Sequence, residues 1–133
     1  MGDNINGPSL IKVPDWIASP FGKYYLYFGH HDGKYIRLAY ADEISGPWKM
    51  HAAGTLDLAD SHFNGHIASP DVHVDHDERR IRMYYHGSDT STGQGGEQYT
   101  RVALSTDGVD FKAESELLGN PYWRVFEWSG FHY

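Results

Sequence analysis

Apolar and aromatic residues fall in short runs along this chain, and each run is cut off by glycine, proline or a polar turn. Tyr24 to Phe28 is such a run, bounded by Gly22 and Gly29, and its aromatic character reads as a strand. Asp32-Gly33, between Phe28 and Tyr35, is a hairpin signal because glycine tolerates positive φ. Asp107-Gly108 plays a similar part further on, and His76-Asp77-Glu78 is a polar turn. Read this way, the chain predicts strands at about 8–13, 23–29, 35–41 and 48–51, and again at about 67–74, 80–86, 98–105 and 110–114. Helix signals are nearly absent. Glu114 to Leu118 offers one helical turn, closed by Gly119, while prolines at both ends mark Pro14 to Pro20 as a loop. Ser88 to Gly96, rich in Gly, Ser and Thr, reads as an exposed loop.

The two sets of strands are copies of one pattern. Gly7-Pro8-Ser9-Leu10 answers to Ser69-Pro70-Asp71-Val72, Arg37-Leu38-Ala39 to Arg101-Val102-Ala103, and Trp48-Lys49 to Phe111-Lys112. The copies stand about 60 residues apart, slightly more than the ~40–50 of a propeller blade. A third copy opens at Asn120-Pro121-Tyr122-Trp123-Arg124-Val125-Phe126. The expected architecture is all-β: a partial β-propeller of two four-stranded antiparallel blades plus the start of a third. As one domain over 1–133, it divides into blades at about 5–52 and 64–115 and a third start at about 120–133. Propellers close with roughly four to eight blades. Two and a half leave edges and apolar faces open, so the remainder of a longer propeller or a homo-oligomer is expected to cover them.

Charge and composition narrow the partners. Net charge is −7 and no run of Lys or Arg occurs, so nucleic acid and anionic membrane are not expected partners. No segment approaches the ~18 apolar residues of a membrane span. Cysteine is absent, which removes disulfides and thiolate metal sites. The first six residues carry no signal-peptide pattern, which leaves the cytoplasm as a default in an otherwise unknown location.

Several segments carry a family likeness: Asn6 to Ile11, Gly22 to Phe28, Ile36 to Ala41, Ser45-Gly46-Pro47-Trp48, His66 to Asp75 and Pro121 to Phe126. They resemble blades of the five-bladed propeller glycoside hydrolases, the family 43 type with its arabinanase, levansucrase and invertase relatives. The resemblance implies a parent activity of glycosidic bond hydrolysis, performed by carboxylates on the leading strands of different blades. Such chemistry needs two carboxyl groups across the sugar, ~6.5–9.5 Å apart when a water must fit between, with one ionised and one protonated. Asp71 is the candidate catalytic carboxylate. Asn6 stands where the family places an acid and cannot serve as acid or base, and no leading-strand glutamate appears. The chain alone is therefore expected to be inactive. The alternative is a non-catalytic carbohydrate-binding or self-assembling structural module.

Propeller geometry gathers the candidate ligand-binding residues on one end: His30, His31 and Asp32 from the first copy, His86 from the second, and His66, Ser69, Tyr122 and Arg124 at the leading-strand starts. Aromatics suit sugar stacking, and Arg124 suits bidentate contact with a hydroxyl or carboxylate. Turn chemistry is the plainer account of His30, His31 and Asp32. No cofactor and no protein-bound metal is expected, calcium at His66 and Asp71 with His30 or His86 being the alternative. Asp75, His76 and Asp77 lie at the opposite end and read as a solvated turn.

Overall fold

The computed structural model describes residues 4–31, 33–89 and 96–133. Asp32 and residues 90–95 of the expected Ser88–Gly96 loop fall outside the described residues. The chain is all-β. Strands β1 (Asn6–Lys12), β2 (Tyr24–Gly29), β3 (Tyr35–Ala41) and β4 (Lys49–Asp57) form one antiparallel sheet in chain order. Strands β5 (Ile67–Asp75), β6 (Arg80–Asp89), β7 (Glu97–Ser105) and β8 (Lys112–Ala113) form a second of the same order. Among the described residues no helix is long and apolar enough to cross a membrane.

Where the structure departs from the pattern, packing gives the reason. β4 continues past the expected residue 51 because a register shift between Ile36 and Leu38 lets Thr55 and Leu56 bury. Ser88 and Asp89 do not begin a loop but end β6, paired with Gln98 and Glu97. Residues 114–118 form no helical turn. Glu114 N–H donates to Val102 O (2.8 Å) and Leu118 N–H to Thr100 O (2.9 Å), so the carbonyls of β7 outcompete the costly nucleus of a five-residue helix. The third copy does not start with a paired strand. Residues 120–126 run without a ladder and lead into a short hairpin of β9 (Glu127–Trp128) and β10 (Phe131–His132).

The sheets share one apolar layer. Tyr25, Tyr27, Ile36 and Leu38 of the first face Ile67, Val72, Ile81, Met83 and Tyr85 of the second, all essentially buried. Two buried phenols use their hydroxyls to pin this layer. Tyr27 donates to Gly108 O (2.8 Å) across the sheets, and Tyr85 to Ser61 O (2.7 Å). Phe111 joins the cluster edge-on to Tyr27, while its sequence counterpart Trp48 stays half-exposed. Leading strand lies against leading strand, and at the far side Phe111 N–H reaches Thr55 O of β4.

Each leading strand carries the same β-bulge. In β1, Gly7 and Pro8 oppose the single residue Phe28; in β5, Ser69 and Pro70 oppose Tyr85. Proline fits there because a bulge needs no ladder donor. The first bulge residue has positive φ in both, 51° at Gly7 and 48° at Ser69. Tyr122 in the irregular third segment repeats it at 66°. Replacing Tyr27 by Phe removes the buried inter-sheet hydrogen bond while keeping the ring. Thermal unfolding of Tyr27→Phe should show Tm lowered by roughly 3–6 °C, about 1 kcal/mol.

Candidate functional site

The bulge of β5 is where the three leading segments meet. Gly7 packs so closely on it that an added Cβ would lie 2.5 Å from Ser69 Cα. The buried Ser69 hydroxyl donates to Asn6 Oδ1, and Arg124 Nη1 reaches Ser69 O in a long 3.4 Å contact. Two residues past each bulge station, the segments are linked by a repeated bond. Val72 N–H donates to Ser9 Oγ at 2.9 Å, and Val125 N–H donates to Asp71 Oδ2 at 2.7 Å.

Four ring-bearing residues flank this junction. The register of β6 sets His86 opposite Ala68. His66, just ahead of β5, shares a hydrogen between Nδ1 and Ser88 Oγ (2.8 Å), and its ring lies 5.7 Å from that of His86. Tyr122 covers His86 at 4.2 Å between ring centroids yet is itself 60% exposed. Trp123 leans toward Tyr84 at 6.4 Å. His66, Ser69, His86, Tyr122 and Arg124 are thus brought together. His31 is drawn instead to Asn4, whose Oδ1 accepts from His31 N–H at 3.3 Å and lies 3.4 Å from Nδ1. His30 stands beside it, exposed.

Burial shapes the chemistry of the two central groups. His86 is only 3% exposed, and its Nδ1 has no hydrogen-bond partner among the described residues. Burial, with His66 and the Arg124 cation nearby, pushes its pKa down to about 4, so the ring is neutral near pH 7. Asp71 differs. Burial pushes its carboxyl up, but the His73 hydrogen bond, the Val125 N–H and the charges of His73 and Arg124 hold it below the usual carboxylate value. His73 Nε2 sits 2.8 Å from Asp71 Oδ2, the oxygen that also accepts from Val125. Sequence reasoning missed His73. The i, i+2 spacing of Asp71 and His73 on one strand was the available signal, since such residues share a face.

The opposite end holds more than a solvated turn. A cleft of about 500 Å³ there is walled by His73, Asp75, Asp77, Glu78, Arg82 and Glu127. Asp75 pairs with Arg82 (2.5 Å) and caps Glu78 N–H (2.9 Å), and Glu78 in turn pairs with Arg80. Two of its acids, Asp75 and Glu78, are therefore engaged with arginines. Among the described residues no group of three or more His, Cys, Asp or Glu is placed to hold a metal ion, at either end.

Fold and site together define an all-β protein of two like sheets with a polar, aromatic junction at one end of their leading strands. No family model and no solved structure matches the chain at a significant level. It is similar to a protein of Acanthamoeba polyphaga mimivirus described only as uncharacterized, 34% identical over 148 residues that take in 98% of this chain and 41% of the relative. The chain thus spans less than half the length of that relative.

The His86 shift sets a pH signature. Its folded pKa is depressed from 6.5 to about 4, so stability is complete above pH 6.5 and declines toward pH 4 as the unfolded chain takes up a proton that the folded chain refuses. Tm measured across that window should fall, and it should fall less steeply in His86→Gln than in the native protein.

Proposed function

We propose that this chain is a segment of a β-propeller whose leading-strand junction binds carbohydrate, without catalysis of its own. The observation that carries this reading is Tyr122, a largely exposed ring laid over buried His86 and bordered by Arg124 and the Ser69–Asn6 pair. An exposed aromatic face with hydroxyl, amide and guanidinium groups at its rim supplies stacking and directional hydrogen bonds, the combination a sugar ring needs. The propeller half of the reading is supported by the repeated Ser9–Val72 and Asp71–Val125 bonds, in which successive leading segments engage in one fixed manner. The absence of catalysis is supported by Asp71, whose acceptor oxygen is already committed to His73 and Val125, and by Asn6, an amide where an acid would be required.

A hydrolase reading has one observation in its favour: Asp71 is held ionised, as a general base must be. In that reading the proton donor comes from outside these residues, from a longer chain or a second copy.

Calorimetric titration with arabino- and xylo-oligosaccharides should give saturable binding, weakened about five- to tenfold in Tyr122→Ala, the amount one ring contact supplies. Aryl arabinosides and xylosides should remain uncleaved by the 133-residue protein. Absence of binding to every sugar tested, or binding indifferent to Tyr122, would overturn the proposal. Cleavage abolished in Asp71→Asn would replace it with the hydrolase reading.

A further inference from the structure

Arg124 occupies a repeated position in which the other two residues do a job it cannot do. Ser9, Asp71 and Arg124 each follow the positive-φ residue of their segment by two places: Gly7, Ser69 and Tyr122. Ser9 and Asp71 accept the backbone N–H of the next leading segment. A guanidinium has five donors and no acceptor, so it cannot continue that series. The structural explanation available for Ser9 and Asp71 is therefore closed to Arg124.

Its surroundings leave its charge unspent. Among the described residues Arg124 forms no ion pair. Its hydrogen bonds are to the carbonyls of Ser69 (3.4 Å) and Trp123 (3.2 Å), both through Nη1, and both acceptors are neutral. Asp71, an acid that feels the Arg124 charge, is taken by His73 and Val125. The side chain is exposed, next to the exposed ring of Tyr122. In a protein of net charge −7, an exposed guanidinium beside an aromatic platform, without an ion pair among the described residues, is a local positive spot against the overall field.

We infer that the junction is selective for acidic carbohydrate, a sugar whose carboxylate, as in a uronic acid, meets the free edge of Arg124 while its ring lies on Tyr122. The inference rests on the carbohydrate-binding reading and specifies it. A planar carboxylate matches the guanidinium fork with two parallel charge-assisted hydrogen bonds, which a neutral sugar cannot supply. The same field that steadies Asp71 as an anion disfavours a cation at His86, so both neighbours already register the Arg124 charge.

The probe is a short oligogalacturonate used in two forms, free acid and methyl ester, which share ring, linkage and length and differ in the carboxylate charge. Calorimetry at low salt should show the free acid binding about tenfold more tightly than the ester. In Arg124→Gln that preference should vanish, acid and ester then binding within about twofold of each other; an unchanged Tm confirms that this exposed substitution leaves the fold intact. Tyr122→Ala should weaken both forms alike. If acid and ester bind equally, or if the preference survives in Arg124→Gln, selectivity for acidic sugar is overturned and the broader carbohydrate reading stands. If neither form binds and neutral oligosaccharides also fail, both readings fall together.

Discussion

The arrangement depends on a single constraint: the backbone of one leading strand must touch the backbone of the next. At the bulge of β1 there is no room for even a methyl group against Ser69, and only a residue without Cβ lets the strands close. That approach brings Val72 N–H within reach of Ser9 and fixes the relative height of the two sheets. Once the height is fixed, the apolar layer between them has one register. Tyr27 then finds Gly108, and Phe111 finds both Tyr27 and Thr55 O. The polar junction is the exposed rim of this contact, so site and core answer to the same geometry.

The number and order of strands in the two four-stranded sheets were readable because each strand is punctuated by turn residues whose φ preferences leave few options. Asp107-Gly108 is such a case: Ser105 and Asp107 side chains take up the N–H groups of residues 107–110, a self-contained turn that needs no distant partner. The third segment was legible as a relative of the other two but not as an unpaired one. Its partner is the Asp71 carboxylate, and nothing local to residues 120–126 announces a side-chain acceptor more than 50 residues away.

The site was legible in kind and less so in geometry. Histidines, an arginine and a tyrosine near leading-strand starts could be gathered on one end from topology alone. The facing of Asp71 could not, because period-two alternation is reset by the extra residue at Ser69-Pro70. After that reset Asp71 shares a face with His73 and Tyr84, turned toward Val125 rather than into the layer that holds Val72. His31 shows the reverse failure: its position in the turn was correct, but Asn4, just ahead of β1, draws it aside.

The left-handed station on each leading segment carries a hydrogen at Gly7, a hydroxymethyl at Ser69 and a phenol at Tyr122. For the latter two that backbone conformation costs about 1–2 kcal/mol. Side-chain bulk there follows the room at each station: an added Cβ at Gly7 would lie 2.5 Å from Ser69 Cα, the Ser69 hydroxyl fits against Asn6, and the Tyr122 ring is 60% exposed. The series thus records, in atomic volume, how closely each station is approached, and at Tyr122 that volume is a ring that solvent can reach.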